Sequence, residues 1–155
     1  KAREDARMIA PDTIDETRTR FDDARRAMID SQLRTSGVTD PAVLARMASV
    51  PREDFLPEGQ RAAAYADRAQ RLPDGGALPA PLFHGMLLAE ARPSGSDRVI
   101  VVDGGSGYLP ALLAPMVAAI ETVTAADAAA GKVRDKTASL LLIDGAVEHV
   151  PDALA

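Results

Sequence analysis

Val99-Ile100-Val101-Val102-Asp103-Gly104-Gly105-Ser106-Gly107-Tyr108 is the stretch whose reading decides the fold of this chain. Four β-favouring aliphatics run straight into a glycine-rich turn, and a short helix-compatible segment, Leu109 to Ala114, follows. The pattern predicts a strand–loop–helix unit. Glycines at such a turn let the backbone approach a ligand closely, and the helix start offers unpaired N–H groups to an anion.

Working outward, two more strands are predicted, at Ile120 to Thr124 and Leu140 to Ile143. The last is an unalternated aliphatic run, as expected of a parallel strand covered on both faces. Strands separated by helices imply a right-handed α/β sheet with its ligand at the C-terminal strand ends. Upstream, Phe21, Ala24, Met28 and Leu33 fall near helical spacing over Phe21 to Thr35, with Gly37 as the stop. Asp40 followed by Pro41 reads as an N-cap and first-turn proline, opening a helix with Val43, Leu44 and Met47 inward. Val50 to Pro57 reads as a turn or short helix, and Arg61 to Tyr65 as another helical turn. Leu72 to Pro81 holds Pro73, Gly75, Gly76, Pro79 and Pro81, so a loop without regular structure is expected before a helix over Leu82 to Ala91. Lys1 to Arg20 is highly charged, broken by Pro11, and reads as an appended arm. The expected organisation is one domain: the arm at 1–20, a helical part and substrate-side loop at 21–97, and a Rossmann-like part at 98–155. Ala125 to Ala130 is a low-complexity alanine cluster.

Composition narrows the classes. At 155 residues the chain can bury one real core, and with aromatics at only 3% that core must be aliphatic. A net charge of −5 argues against nucleic acid or an anionic membrane as the main partner. The absence of cysteine excludes disulfides, thiolate metal sites and cysteine nucleophiles together, and suits a reducing compartment. No apolar run is long enough to span a bilayer, and the charged N-terminal stretch lacks the apolar core of a signal peptide, so a cytoplasmic protein is the expectation.

Taken alone, the glycine turn suits a nucleotide, a dinucleotide, S-adenosylmethionine or simply a tight strand-to-helix connection. No Gly-Lys-Ser/Thr follows it, which disfavours phosphoryl transfer. Three segments read together are more specific. Gln32-Leu33-Arg34 through Gly37-Val38, Asp40, Val43-Leu44, Met47 and Val50-Pro51-Arg52-Glu53, with Phe55 and Pro57, resembles the N-terminal signature of protein-L-isoaspartate O-methyltransferases. Gly105-Ser106-Gly107-Tyr108 resembles that family's S-adenosylmethionine loop. Leu141-Leu142-Ile143-Asp144-Gly145-Ala146, continuing to Val150-Pro151 and Ala153-Leu154, is similar to its central strand and following loop. The resemblance runs from Ala24 to the C-terminus.

The resemblance implies an α/β, Rossmann-like S-adenosylmethionine-dependent methyltransferase fold with an N-terminal helical subdomain. It also implies methyl transfer from S-adenosylmethionine to the α-carboxylate of L-isoaspartyl residues in damaged proteins, a repair reaction whose partners are isoaspartyl-containing proteins or peptides. A carboxylate with a pKa of about 4 is already ionised at neutral pH, so no general base is required and alignment of oxygen, methyl carbon and sulfur carries the reaction.

The sequence departs from the family pattern at several places. A Thr-Ile-Ser pattern before the first helix of the substrate side falls on Ala77, Leu78 and Pro79, which removes both hydroxyls and one backbone donor. The acid of the first strand falls at Val101, and the first loop glycine is Asp103, which either stands in for that acid or repels the cofactor's carboxylate. The ribose-binding acid falls at Thr124, with Asp127 as substitute. Between Ala130 and Ser139 the family carries a further strand–loop–helix with an adenine-contacting turn, and relatives continue into further strands where this sequence reaches Ala155. The expected cofactor-binding set is therefore Asp103, Gly104, Gly105, Ser106, Gly107, Tyr108, Thr124, Asp127 and Asp144, with Pro79 and His84 as substrate-side candidates.

Each candidate also has a bland reading. His84 faces the substrate or simply packs in its helix; Asp144 touches a ligand or caps the turn at Gly145; Tyr108 lies over the cofactor or shields the glycine turn. Glu148 and His149 are too sparse a pair for a metal site. The lost hydroxyls and acids leave two alternatives to isoaspartyl repair, a methyltransferase for another substrate and a non-catalytic binding or scaffold protein on the same fold.

Overall fold

A computed structural model describes residues 11–148, 150 and 152–154. Helix α1, Pro11–Met28, passes without a break through a π turn, Ile29–Leu33, and a 3₁₀ turn, Arg34–Ser36. Pro11 opens this helix rather than breaking it, and the helix crosses position 20, where the charged arm was expected to end. Residues 1–10 of that arm lie outside the described residues. Met28, Ile29 and Leu33 are buried, while residues 13–20 face solvent. Gly37, at φ 90°, closes the run.

Helix α2, Pro41–Ser49, starts as its sequence predicts: one carboxylate oxygen of Asp40 accepts from the Ala42 N–H at 2.8 Å and from Val43 at 3.3 Å. Val43, Leu44 and Met47 turn inward. Two 3₁₀ segments follow, Arg52–Phe55 and Glu58–Ala63, the second beginning earlier than the turn expected from Arg61.

The expectation of a featureless loop over Leu72 to Pro81 is corrected. Strands β1, Gln70–Arg71, and β2, Ala77–Leu78, pair antiparallel around it, Gln70 opposite Leu78 and Arg71 opposite Ala77. The Leu72 N–H donates to Gly76 O at 2.9 Å, and Gly75 donates to Leu72 O at 3.1 Å. The glycines and Pro73 form the turn, so the breaker density marks a hairpin tip and its two short arms escape the pattern. Helix α3, Pro81–Ala91, then begins on a proline in its first turn.

Three parallel strands form the main sheet: β3, Arg98–Val102, β4, Ala119–Val123, and β5, Leu140–Ile143. Their spatial order is β4-β3-β5. Helix α4, Tyr108–Leu113, links β3 to β4, and α5, Ala125–Ala129, opens the return towards β5. The alanine cluster is thus a helix, capped by the Thr124 hydroxyl. Strand alternation divides β3 between two cores. Val99 and Val101 join Leu142, Tyr108, Leu109 and the residues of α2 and α3 in the larger one. Ile100 and Val102 join Val123, Ala128 and Val133 in the smaller. Among the described residues, no helix is long and apolar enough to cross a membrane.

Candidate active site

The strand order reverses at β3, because the chain moves first to β4 on one side and then to β5 on the other. In open parallel sheets such a switch point leaves a crevice at the carboxyl ends of the strands. The glycine turn Asp103–Gly107 and Asp144 both emerge there, from β3 and β5. An apolar cleft of about 260 Å³ opens beside them, lined by Val102, Ile143, Ala125, Ala128, Ala129 and Val147 among others. A second, polar cleft of about 390 Å³ lies at the end of β4 and includes Thr124 and Asp127.

Within the turn, Gly105 and Gly107 sit at φ 103° and 75°, a left-handed backbone that strains any residue with a Cβ. Gly104 meets a different constraint: a Cβ there would stand 2.9 Å from both Ala77 O and Asp144 O. Its own carbonyl accepts the Ala77 N–H at 2.9 Å, so the hairpin is stitched directly to the turn.

Asp103 turns its carboxylate back into the loop. It accepts the Gly105 N–H at 3.1 Å and the Gly107 N–H at 3.2 Å. Burial holds its pKa above the ordinary carboxylate value, although those N–H groups work in the opposite direction. The Ser106 hydroxyl accepts from Tyr108 N at 3.2 Å. Three of the donors that an anionic ligand would use are therefore already engaged, whereas a cationic group finds a carboxylate.

Beneath the turn lies a buried polar chain. Arg52 is 0% exposed. Its Nε donates to Ala64 O at 2.7 Å, Nη2 donates to Pro79 O, and Nη1 meets His84 Nδ1 at 3.3 Å. His84, also fully buried, places Nε2 2.7 Å from Asp144 Oδ1. Arg52 has no acceptor to offer, so Nδ1 must accept and the proton of neutral His84 sits on Nε2, donating to Asp144. Burial pushes His84 below the ordinary imidazole range, opposed by the Asp144 bond. The guanidinium also lies over the Tyr108 ring at 5.0 Å and is itself pushed down by burial. Farther in, Tyr65 Oη accepts from Arg25 Nε at 2.7 Å and from the Arg52 N–H at 3.1 Å, and donates to Glu53. Burial and the Glu53 bond raise the Tyr65 pKa.

The structure thus brings Asp103, Gly104, Gly105, Ser106, Gly107 and Asp144 together at one edge. Other candidates are placed differently. Tyr108 does not lie over the turn: its ring is 0% exposed and edge-on to Phe55 and His84, at 5.3 and 5.0 Å. His84 is turned into the protein, away from any open substrate face, because a carboxylate and a guanidinium hold both ring nitrogens. Asp144 holds His84 instead of capping the turn. Thr124 spends its hydroxyl oxygen on the Asp127 N–H at 3.1 Å, and the Asp127 carboxylate pairs with Lys132 at 3.5 Å. Pro79 contributes its carbonyl to Arg52. His149 lies outside the described residues. Arg52, Glu53 and Tyr65 were not singled out as functional from sequence, although the three charges Arg52, Glu53 and Asp54 between Val50-Pro51 and Phe55-Leu56 were a signal of pairing near the core.

Fold and sheet topology together define a Rossmann-like α/β domain. The family model for protein-L-isoaspartate(D-aspartate) O-methyltransferase matches residues 23–141. The chain belongs to that family. It is 38% identical over 110 residues to the protein-L-isoaspartate O-methyltransferase of Roseiflexus sp. strain RS-1, covering 71% of this chain and 50% of the relative. A solved protein-L-isoaspartate O-methyltransferase superposes with a TM-score of 0.64 at 15% identity, over 83% of this chain and 50% of the other. A Plasmodium falciparum structure described as a protein-L-isoaspartate O-methyltransferase in complex with S-adenosyl-L-homocysteine superposes with a TM-score of 0.52 at 17% identity, over 86% and 66%. At these identities the solved structures establish the fold. The chain spans about half the length of the curated relatives it matches.

Proposed function

We propose that this chain serves S-adenosylmethionine-dependent methylation of the α-carboxylate of L-isoaspartyl residues in damaged proteins. The observation that carries the reading is the glycine turn at the β3/β5 switch point of a chain whose residues 23–141 match the family. The residues fit the cofactor unevenly. Asp103 suits its ammonium or sulfonium end, and the apolar cleft between Val102 and Ile143 suits a flat heterocycle. Its carboxylate does not find the Gly105 and Gly107 donors free. Asp103 and the Gly104–Gly107 turn would hold the aminoacyl end, with Thr124 and Asp127 on the ribose side and Asp144 behind the turn, holding His84. Bound there, the cofactor supplies an electrophilic methyl group. The chain's own part is to orient the acceptor oxygen and exclude water, because an ionised carboxylate needs no base.

One observation favours a second reading, a methyl acceptor other than an isoaspartyl carboxylate. Ala77 and Pro79 offer no hydroxyl, and Arg52, the buried cation beside that loop, spends its N–H groups on two carbonyls and an imidazole. A carboxylate desolvated without donors costs on the order of several kcal/mol.

Calorimetric titration with S-adenosylmethionine and S-adenosylhomocysteine tests the cofactor. Saturable one-site heat is expected; no heat and no thermal stabilisation by either ligand overturns the proposal. With cofactor bound, labelling of an isoaspartyl peptide but not its aspartyl twin supports the first reading. Labelling of neither transfers support to the second.

A further inference from the structure

We propose that Arg52, His84 and Asp144 form a buried positioning relay that locks the substrate-side loop to the glycine turn, and that it closes only with His84 in its neutral Nε2–H form. For catalysis the relay rests on the reading above, but its existence does not, and it is tested on the free protein.

The relay closes a ring through the fold. Arg52, on the 3₁₀ segment, donates to Pro79 O on the substrate-side loop. Two residues earlier, the Ala77 N–H donates to Gly104 O in the glycine turn. Gly104 packs so closely on Asp144 O that only a residue without a Cβ fits. The Asp144 N–H donates to Val102 O at 2.9 Å, fixing the end of β5 to the residue preceding Asp103. Asp144 Oδ1 then accepts the hydrogen bond of His84 Nε2–H, and His84 Nδ1 accepts from Arg52, which completes the circuit. One set of bonds therefore determines how far the substrate-side backbone stands from the cofactor-side backbone, a distance on which methyl transfer depends steeply.

The ring has one weak link, set by chemistry. Protonating His84 places an N–H on Nδ1, facing the N–H of Arg52, and turns an accepting contact into two opposed donors with like charge. The groups facing His84 from the packed elements are Arg52 from the 3₁₀ segment, Asp144 from the end of β5, Asp103 from the turn and Tyr108 from α4. Arg52 opposes a second positive charge, and the two carboxylates favour it. Asp144 Oδ2 and Tyr108 Oη are buried without a hydrogen-bond partner.

The test uses the whole chain, labelled with ¹⁵N histidine, with H84F to assign the His84 signals against His149. Long-range ¹H–¹⁵N spectra should show a single Nε2–H tautomer of His84, persisting as the pH falls through the ordinary imidazole range. Amide exchange at Ala77 should accelerate by about tenfold or more in H84F, with α2 amides unchanged. With His84 in place, D144N keeps an acceptor for Nε2–H and should retain most of the native Ala77 protection, whereas D144A should not. A tautomer mixture, a proton on Nδ1, or unchanged Ala77 protection in a folded H84F overturns the relay. Because no ligand is present, failure to bind S-adenosylmethionine leaves these readouts intact and counts only against the methyltransferase reading.

Discussion

The two faces of the main sheet start from neighbouring residues of one strand and end in different environments. Val101 is 0% exposed and shares its core with residues of α2, α3 and α4; Val102, one residue on, is 6% exposed beside a 260 Å³ cleft and, among the described residues, shares its smaller core with Val123, Ala128 of α5 and Val133. Packing on the first face leaves little room for adjustment, and it is there that the buried polar groups are held in one arrangement. The second face keeps space open at the switch point, where a ligand would sit. Rigidity and access are thus divided between the two sides of a strand five residues long.

The largest effect should come from the relay side. Arg52→Met keeps the volume but leaves Ala64 O, Pro79 O and His84 Nδ1 unpaired, and a loss of about 3–5 kcal/mol in urea unfolding is expected. A loss below about 1 kcal/mol would mean that the first face tolerates rearrangement and the contrast between faces is false.

The comparison is sharpened by the like-for-like pair on β3. Val101→Ala should cost about 2–3 kcal/mol and Val102→Ala about 1 kcal/mol, because only the former creates a closed void. Equal costs would show the second face to be as tightly packed as the first.

The pH dependence probes the same interior. The folded state lowers the His84 pKa below its unfolded value of about 6.5, so the unfolded chain takes up the proton first. Stability from this residue is complete above the unfolded pKa and falls with decreasing pH, levelling off once the folded pKa is reached. The slope is at most about 1.4 kcal/mol per pH unit. Urea midpoints of wild type and H84Q across that window should diverge accordingly, and parallel curves would remove His84 from the account.

Smallest are the caps. Asp40→Ala should cost about 1 kcal/mol and Thr124→Ala about half that, since Asp40 serves two N–H groups and caps a nine-residue helix while Thr124 serves one and caps five residues. Thermal melts of the two variants would reverse that order if α5 anchored its face more firmly than its length suggests.

Local signals carried a large part of the fold. β3 and β5 lie where their aliphatic runs predict, and α2 begins where Asp40 and Pro41 place it, because each of these is decided within a few residues. The hairpin was not legible: β1 and β2 have two residues each, and their register depends on Gly76 and on the Ala77–Gly104 bond. The glycine turn was visible as a candidate ligand loop, but the direction in which Asp103 points was not. Tyr108 shows the same limit, since it was expected over the cofactor or over the glycine turn and α4 carries its ring inward.

By itself, the sequence determined a strand, a glycine turn and a helix, an aliphatic core, and membership in a methyltransferase family. Only the tertiary structure decided that Arg52, His84 and Asp144 meet, across separations of 32 and 60 positions in the chain. Hydrophobic periodicity and capping act over one or two turns of chain and can be read in order. A buried charge finds its partner through the crossing of strands and loops distant in sequence, where desolvation penalises every arrangement that leaves it unpaired.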